Sequence, residues 1–146
     1  MGHISIVYGN IIGPSWKTTD HHKLQRLNKT VIENLPVADE DFPWLSQRMF
    51  LAPDPDKDPL YREQVIVFGA SYKSVEYEWE QWLEKFETIL RQLYWSSATV
   101  QLETELVGNH TYQWLGDINQ PGNWTTDDPH PTTLWEFGGG PRNFNL

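Results

Sequence analysis

The segment YEWEQWLEKFETILRQLYW, residues 77 to 95, limits the fold more than any other part of the chain. Trp79, Trp82, Leu83, Phe86, Ile89, Leu90 and Leu93 recur at helical spacing. At 100° per residue they share one stripe about 120° wide. An amphipathic helix with so broad an aromatic sole needs a flat apolar surface to lie on, and a β-sheet supplies one. Ser74 is placed to cap this helix, and Glu76 and Glu78 lie near the positive end of its dipole.

The sheet is legible on both sides of that helix. HISIVYGNII is rich in β-branched residues and stops at Gly13-Pro14, so residues 3–12 read as a strand. QVIVFGASY, residues 64–72, reads as a strand that lacks clean alternation, as in strands buried on both faces. In SSATVQLETEL, Val100, Leu102, Thr104 and Leu106 alternate with Gln101, Glu103 and Glu105, which predicts a strand with one wet face. Gly108-Asn109 reads as a two-residue hairpin turn, with HTYQWL returning. That turn sets Glu105 opposite Tyr112 and Glu103 opposite Trp114.

A first helix is expected over residues 21–35, with Thr18, Thr19 or Asp20 at its start, a stripe of Leu24, Leu27, Val31 and Leu35 with Ile32 on the flank, and Pro36 at its end. Residues 36–63 are irregular, with a short strand near 48–52. TTLWEF, residues 132–137, is a last strand before an irregular tail. The 146 residues therefore predict a single α+β domain, loop-rich from about residue 116. Its expected form is a two-layer sandwich: a mainly antiparallel sheet with two helices on one face.

Charge and composition limit the function. Twenty acids oppose eleven bases, a net charge of −9. Such a surface repels phosphate backbones and anionic membranes and attracts a basic protein. The bases Lys17, Lys23, Arg26 and Lys29 cluster early, which leaves self-association into a homodimer open. Without cysteine, disulfides and thiolate metal sites are excluded. The N-terminus lacks the basic and apolar regions of a secretion signal, so a cytoplasmic location is expected, and the N-x-T triplets at Asn28, Asn109 and Asn123 read as chance.

Two surfaces carry candidate binding residues. Glu76, Glu80, Glu84 and Glu87 form a ridge on the second helix, where neighbours repel by roughly 0.2–0.5 kcal/mol per pair. Arg91 is in register to pair with Glu87, while Glu80 and Glu84 have no base four residues on. Such a ridge suits a cationic partner; its plainer reading is a solvated face. The second surface is the expected outer face of the hairpin: Glu103, Glu105, His110, Tyr112 and Trp114. Rings beside carboxylates suit lysine or arginine from a partner, unless another segment of the chain, around Trp124–Trp135, covers them.

Catalytic and cofactor signals are weak. His110 near Glu105 has the makings of a general-base pair, but no nucleophile or oxyanion hole accompanies it. Asp54, Asp56 and Asp58 begin like a calcium loop, yet Pro59 and Val65 stand where glycine and glutamate are needed. GGGP, residues 138–141, lacks the lysine of a phosphate loop. No metal, cofactor or catalytic residue is assigned.

The stretch from FGASYK through YEWEQWLEKFETILRQLYWSSATVQLETEL resembles small bacterial proteins. The whole chain is similar in type to cytosolic immunity proteins of bacterial toxin systems: short, acidic, cysteine-free and rich in tryptophan. The resemblance implies tight binding of a cognate toxin, often a nuclease, with occlusion of its active site. The alternatives are a small-ligand domain or enzyme with a pocket near Trp44 and the proline-rich loop, and a carbohydrate platform on Tyr112 and Trp114.

Overall fold

The computed structural model describes residues 3–15, 20–57, 62–116 and 130–146. Thr18, Thr19, Asp58, Pro59, Asn123 and Trp124, weighed above, lie outside the described residues. The chain runs β1 (Ile4–Ile12), α1 (His21–Glu33), β2 (Phe50–Leu51), β3 (Val65–Lys73), α2 (Trp79–Leu90), β4 (Ser97–Thr104), β5 (Gly108–Gly116) and β6 (Trp135–Gly139). The strands form one sheet in the order β2-β3-β1-β4-β5-β6, and every neighbouring pair is antiparallel. With two helices this is the expected α+β sandwich.

Alternation sorts each strand into two faces. Val7 and Ile11, Ile66 and Phe68, Ala98, Val100 and Leu102, and Tyr112 and Trp114 point to the inner face and are buried. There they meet the sole of α2, and every member of its predicted stripe is buried. Trp79 stacks on Trp82, Trp82 on Phe86, and Phe86 reaches Phe68 and Trp114 at 5.2 and 5.1 Å between ring centroids. Ile32 of α1 joins the same core.

The helix ends differ from expectation. Ser74 takes a left-handed conformation, φ 55°, and its side chain does not cap the helix. Its Oγ accepts from the His3 amide instead, and a 3-10 turn over Val75–Glu78 leads into α2. Ser5 on β1 supplies the missing cap, accepting from the Val75 amide at 3.0 Å. The buried side of α1 is also rotated. Leu24, Gln25, Asn28 and Ile32 face inward, while Leu27 is exposed. The cause is polar: the Asn28 side chain bonds both the carbonyl and the amide of Tyr94 at 2.8 Å, and the Gln64 side-chain Nε2 donates to the main-chain carbonyl of Gln25. These bonds draw the carboxamide flank under the sheet.

Two readings of the strands need correction. β3 is buried on one face only; Val65 and Val67 are exposed on the other. The β4–β5 turn has three residues, Glu105–Val107, with Thr104 opposite Gly108. Thr104 Oγ1 closes it, accepting from the Val107 amide and donating to the Gly108 carbonyl, and Gly108 takes the left-handed position at φ 79°. Tyr112 thus pairs with Val100 and Trp114 with Ala98, rather than with Glu105 and Glu103. This register turns both rings to the opposite face. Leu106 falls in the turn, exposed.

The corrected register has a spectroscopic consequence. Burial pushes the Tyr112 phenol up from its ordinary value of 10.0 to about 12. The folded state favours the neutral phenol, so this contribution to stability is complete below pH 10 and fades as pH rises toward about 12. Absorbance titration at 295 nm, compared between the protein and Tyr112→Phe, should show this tyrosine ionising well above pH 10, toward about 12; ionisation near pH 10 would contradict the buried register.

Candidate functional site

The helix ridge proves to be two kinds of residue. Glu87 is 6% exposed and fully engaged: Arg142 grips it with two nitrogens at 2.5 and 3.1 Å, and the Trp114 indole donates at 3.0 Å. Its base is therefore Arg142, not Arg91, whose guanidinium lies over the Trp135 ring at 5.0 Å. The Glu87 hydrogen bonds in turn raise the Arg142 pKa. Glu76 is 2% exposed, and neither carboxylate oxygen has a partner among the described residues. Both are removed from the partner-binding set. Glu80, which accepts from Asn143 at 3.2 Å, and Glu84 remain exposed.

The hairpin surface divides as well. Tyr112 and Trp114 are 0% exposed, so neither can anchor a partner or stack on a sugar. The Tyr112 hydroxyl donates to the Pro141 carbonyl at 2.7 Å. His110 is half-buried under Phe144, and its Nε2 lies 2.8 Å from the Val107 carbonyl. Glu105 instead faces His3, at 3.5 Å, so the pairing that a general base would need is replaced. Glu103 keeps its outward position and accepts from the Tyr8 hydroxyl at 3.1 Å. That bond raises the Tyr8 pKa.

The described part of the proline-rich loop is tied to α2 and β3 by hydrogen bonds. Lys85 donates to Asp39 at 2.9 Å and to the Pro43 carbonyl at 3.1 Å, and the Tyr72 hydroxyl donates to the Trp44 carbonyl at 2.6 Å. Leu45 is buried, whereas the Trp44 side chain is exposed and packs edge-on against Phe42 rather than lining a pocket. Asp54 accepts from the Asp56 amide, and Asp56 pairs with Arg26. Among the described residues no group of three or more His, Cys, Asp or Glu is gathered to hold a metal.

What the sequence reading missed is the sheet face opposite the helices. Ile4, Ile6, Tyr8, Leu51, Val65, Val67 and Leu115 lie there, 39–66% exposed. Cross-strand pairing sets Leu51 beside Val67 and Val65 beside Ile12, and sets Ile4, Ile6 and Tyr8 beside Lys73, Ser71 and Gly69. Glu103 and Glu105 border this apolar field on the β4 side, and Glu136 on β6. The clue was present in HISIVYGNII and QVIVFGASY, which carry apolar residues at both parities.

No protein-family model, curated protein or solved structure matches the chain. No helix among the described residues is long and apolar enough to cross a membrane.

The Glu87 clamp predicts its own mutational pattern. Arg142→Ala leaves a buried carboxylate without its cation and should cost about 3 kcal/mol in denaturant unfolding. Arg142→Lys keeps the charge but loses the planar fork, and should cost about 1 kcal/mol. Equal, negligible losses in both variants would contradict a clamped Glu87.

Proposed function

We propose that the protein is a protein-binding module that holds a basic partner on the open face of its sheet, and that it acts as an immunity protein, covering the active site of a cognate toxin domain. The observation that carries the reading is the set of exposed apolar side chains on one sheet face, Ile4, Ile6 and Tyr8 along β1 with Leu51, Val65 and Val67 on β2 and β3, interspersed with Asn10, Ser71 and Lys73. Large apolar side chains gathered on one exposed face mark an interaction site, because leaving them in water is unfavourable.

Size and charge both fit. Four long strands, about 4.8 Å apart and eight residues deep at about 3.4 Å each, span on the order of 500 Å² in projection. That is the scale of the roughly 800 Å² which one partner contributes to a standard interface. Glu103, Glu105 and Glu136 outnumber Lys73 on this face and its margins, and the net charge of −9 steers a cation toward it. Glu80 and Glu84, on the opposite layer, add to the long-range field rather than to the contact.

The test uses immobilised protein and extract of its native host. Wild type and Glu80→Lys/Glu84→Lys should retain one basic protein, released by salt, whose catalytic activity the bound module abolishes. Ile6→Glu/Val67→Glu should lose it while unfolding at an unchanged midpoint. Retention by the sheet variant, loss by the helix variant, or a partner that stays active would overturn the reading.

A further inference from the structure

Gly69 sits at the centre of β3, on the open face, directly opposite Tyr8. A glycine within a strand weakens it and commonly marks a bulge, a bend or a close approach. Most glycines of the sheet have an internal reason. A Cβ on Gly9 would collide with the Thr99 carbonyl, and one on Gly139 with the Thr111 carbonyl. Gly116 faces the Trp95 carbonyl at 3.0 Å, and Gly108 has a left-handed φ. Gly69 has none of these, and neither does Gly138 on β6, but Gly69 is the one of the two that stands opposite an exposed ring, Tyr8. Its Cβ would meet Tyr8 Cβ at 3.6 Å and the Val7 carbonyl at 3.8 Å, ordinary contacts, and its φ is not left-handed. Nothing inside the molecule requires a glycine there.

The surroundings say what the bare backbone suits. Tyr8 stands between β3 and β4, and its hydroxyl is held by Glu103 on the β4 side, away from Gly69. Val67 and Ser71 flank Gly69 along its own strand. Bare backbone thus lies between Val67 and Ser71 and beside the Tyr8 ring, with the Glu103 carboxylate on the ring's far side. Gly69 and Glu103 are two strands apart and offset by two residues, roughly 12 Å, a span that an extended arginine and a glutamate bridge together.

We infer that Gly69 is kept bare for the partner: an arginine of the basic protein lays its stem on the Gly69 backbone and its guanidinium on the Tyr8 ring, and reaches the Glu103 carboxylate. The inference rests on the open-face reading above and gives that face its point of specificity. A planar guanidinium both stacks on a ring and forks onto a carboxylate.

The experiment is an amide NMR titration at low salt with a tri-arginine peptide, against tri-glutamate, on the full chain. Tri-arginine should shift the Gly69, Tyr8 and Glu103 amides, and tri-glutamate should not. Gly69→Val should weaken this binding about tenfold with an unfolding midpoint no lower than wild type. Glu103→Gln, which preserves shape and removes charge, should weaken it as well. Shifts confined to Glu80 and Glu84 of α2 would overturn the socket while sparing a cation-binding protein; no shifts anywhere would overturn both. A Gly69→Val chain that fails to fold would show that the glycine is structural, and would also overturn the socket.

Discussion

Stacked rings between α2 and the sheet hold the two layers together. Trp79, Trp82 and Phe86 run along the helix, and Phe68, Trp114 and Tyr112 answer from the strands, with Phe50 and Phe137 extending the contact to either side. Each such side chain contributes roughly 1.5–3 kcal/mol on burial, with about 0.5–1.5 kcal/mol more for a well-placed ring pair. The aromatic surface of the chain is thus concentrated on one side of the sheet. Among the described residues no helix covers the other side, and its apolar residues are left in contact with water.

Polar groups at the margin of this core fasten parts that the rings do not reach. The Trp82 indole donates to the Tyr72 hydroxyl, which donates to the Trp44 carbonyl, so one relay joins α2, β3 and the irregular loop. Asn28 fastens α1 to the segment after α2, and Arg142 with Glu87 fastens the C-terminal tail across the helix. These are buried or half-buried bonds, costly to leave unmade. They explain why Asn28 and Glu87 lie inside the molecule.

The helix sole was legible because seven apolar residues repeat at one period over fifteen positions, which no other structure accommodates. The strands were legible from β-branched composition, and the sandwich followed from both. Three things were not legible. The β4–β5 register depended on the Thr104 hydroxyl closing a three-residue turn at Glu105–Val107; the resulting shift of five residues from a Gly108-Asn109 turn, an odd number, moved Tyr112 and Trp114 from the outside to the core. The rotation of α1 depended on long-range bonds of Asn28, which leave no periodic trace. The fate of Glu87 depended on Arg142, fifty-five positions away. Of the candidate residues, Glu80, Glu84, Glu103 and Glu105 remain at the surface, and the apolar field beside the last two came from the coordinates.

The central claim is the asymmetry itself: one face of the sheet sealed by rings, the other bare and available to a partner. Methyl NMR with a soluble gadolinium chelate measures it most directly. The account predicts strong relaxation for the methyls of Ile4, Ile6, Leu51, Val65 and Val67, and none for those of Val7, Ile11, Ile66, Val100 and Leu102. Equal protection of the two sets would mean that the second face is already covered, and would contradict it.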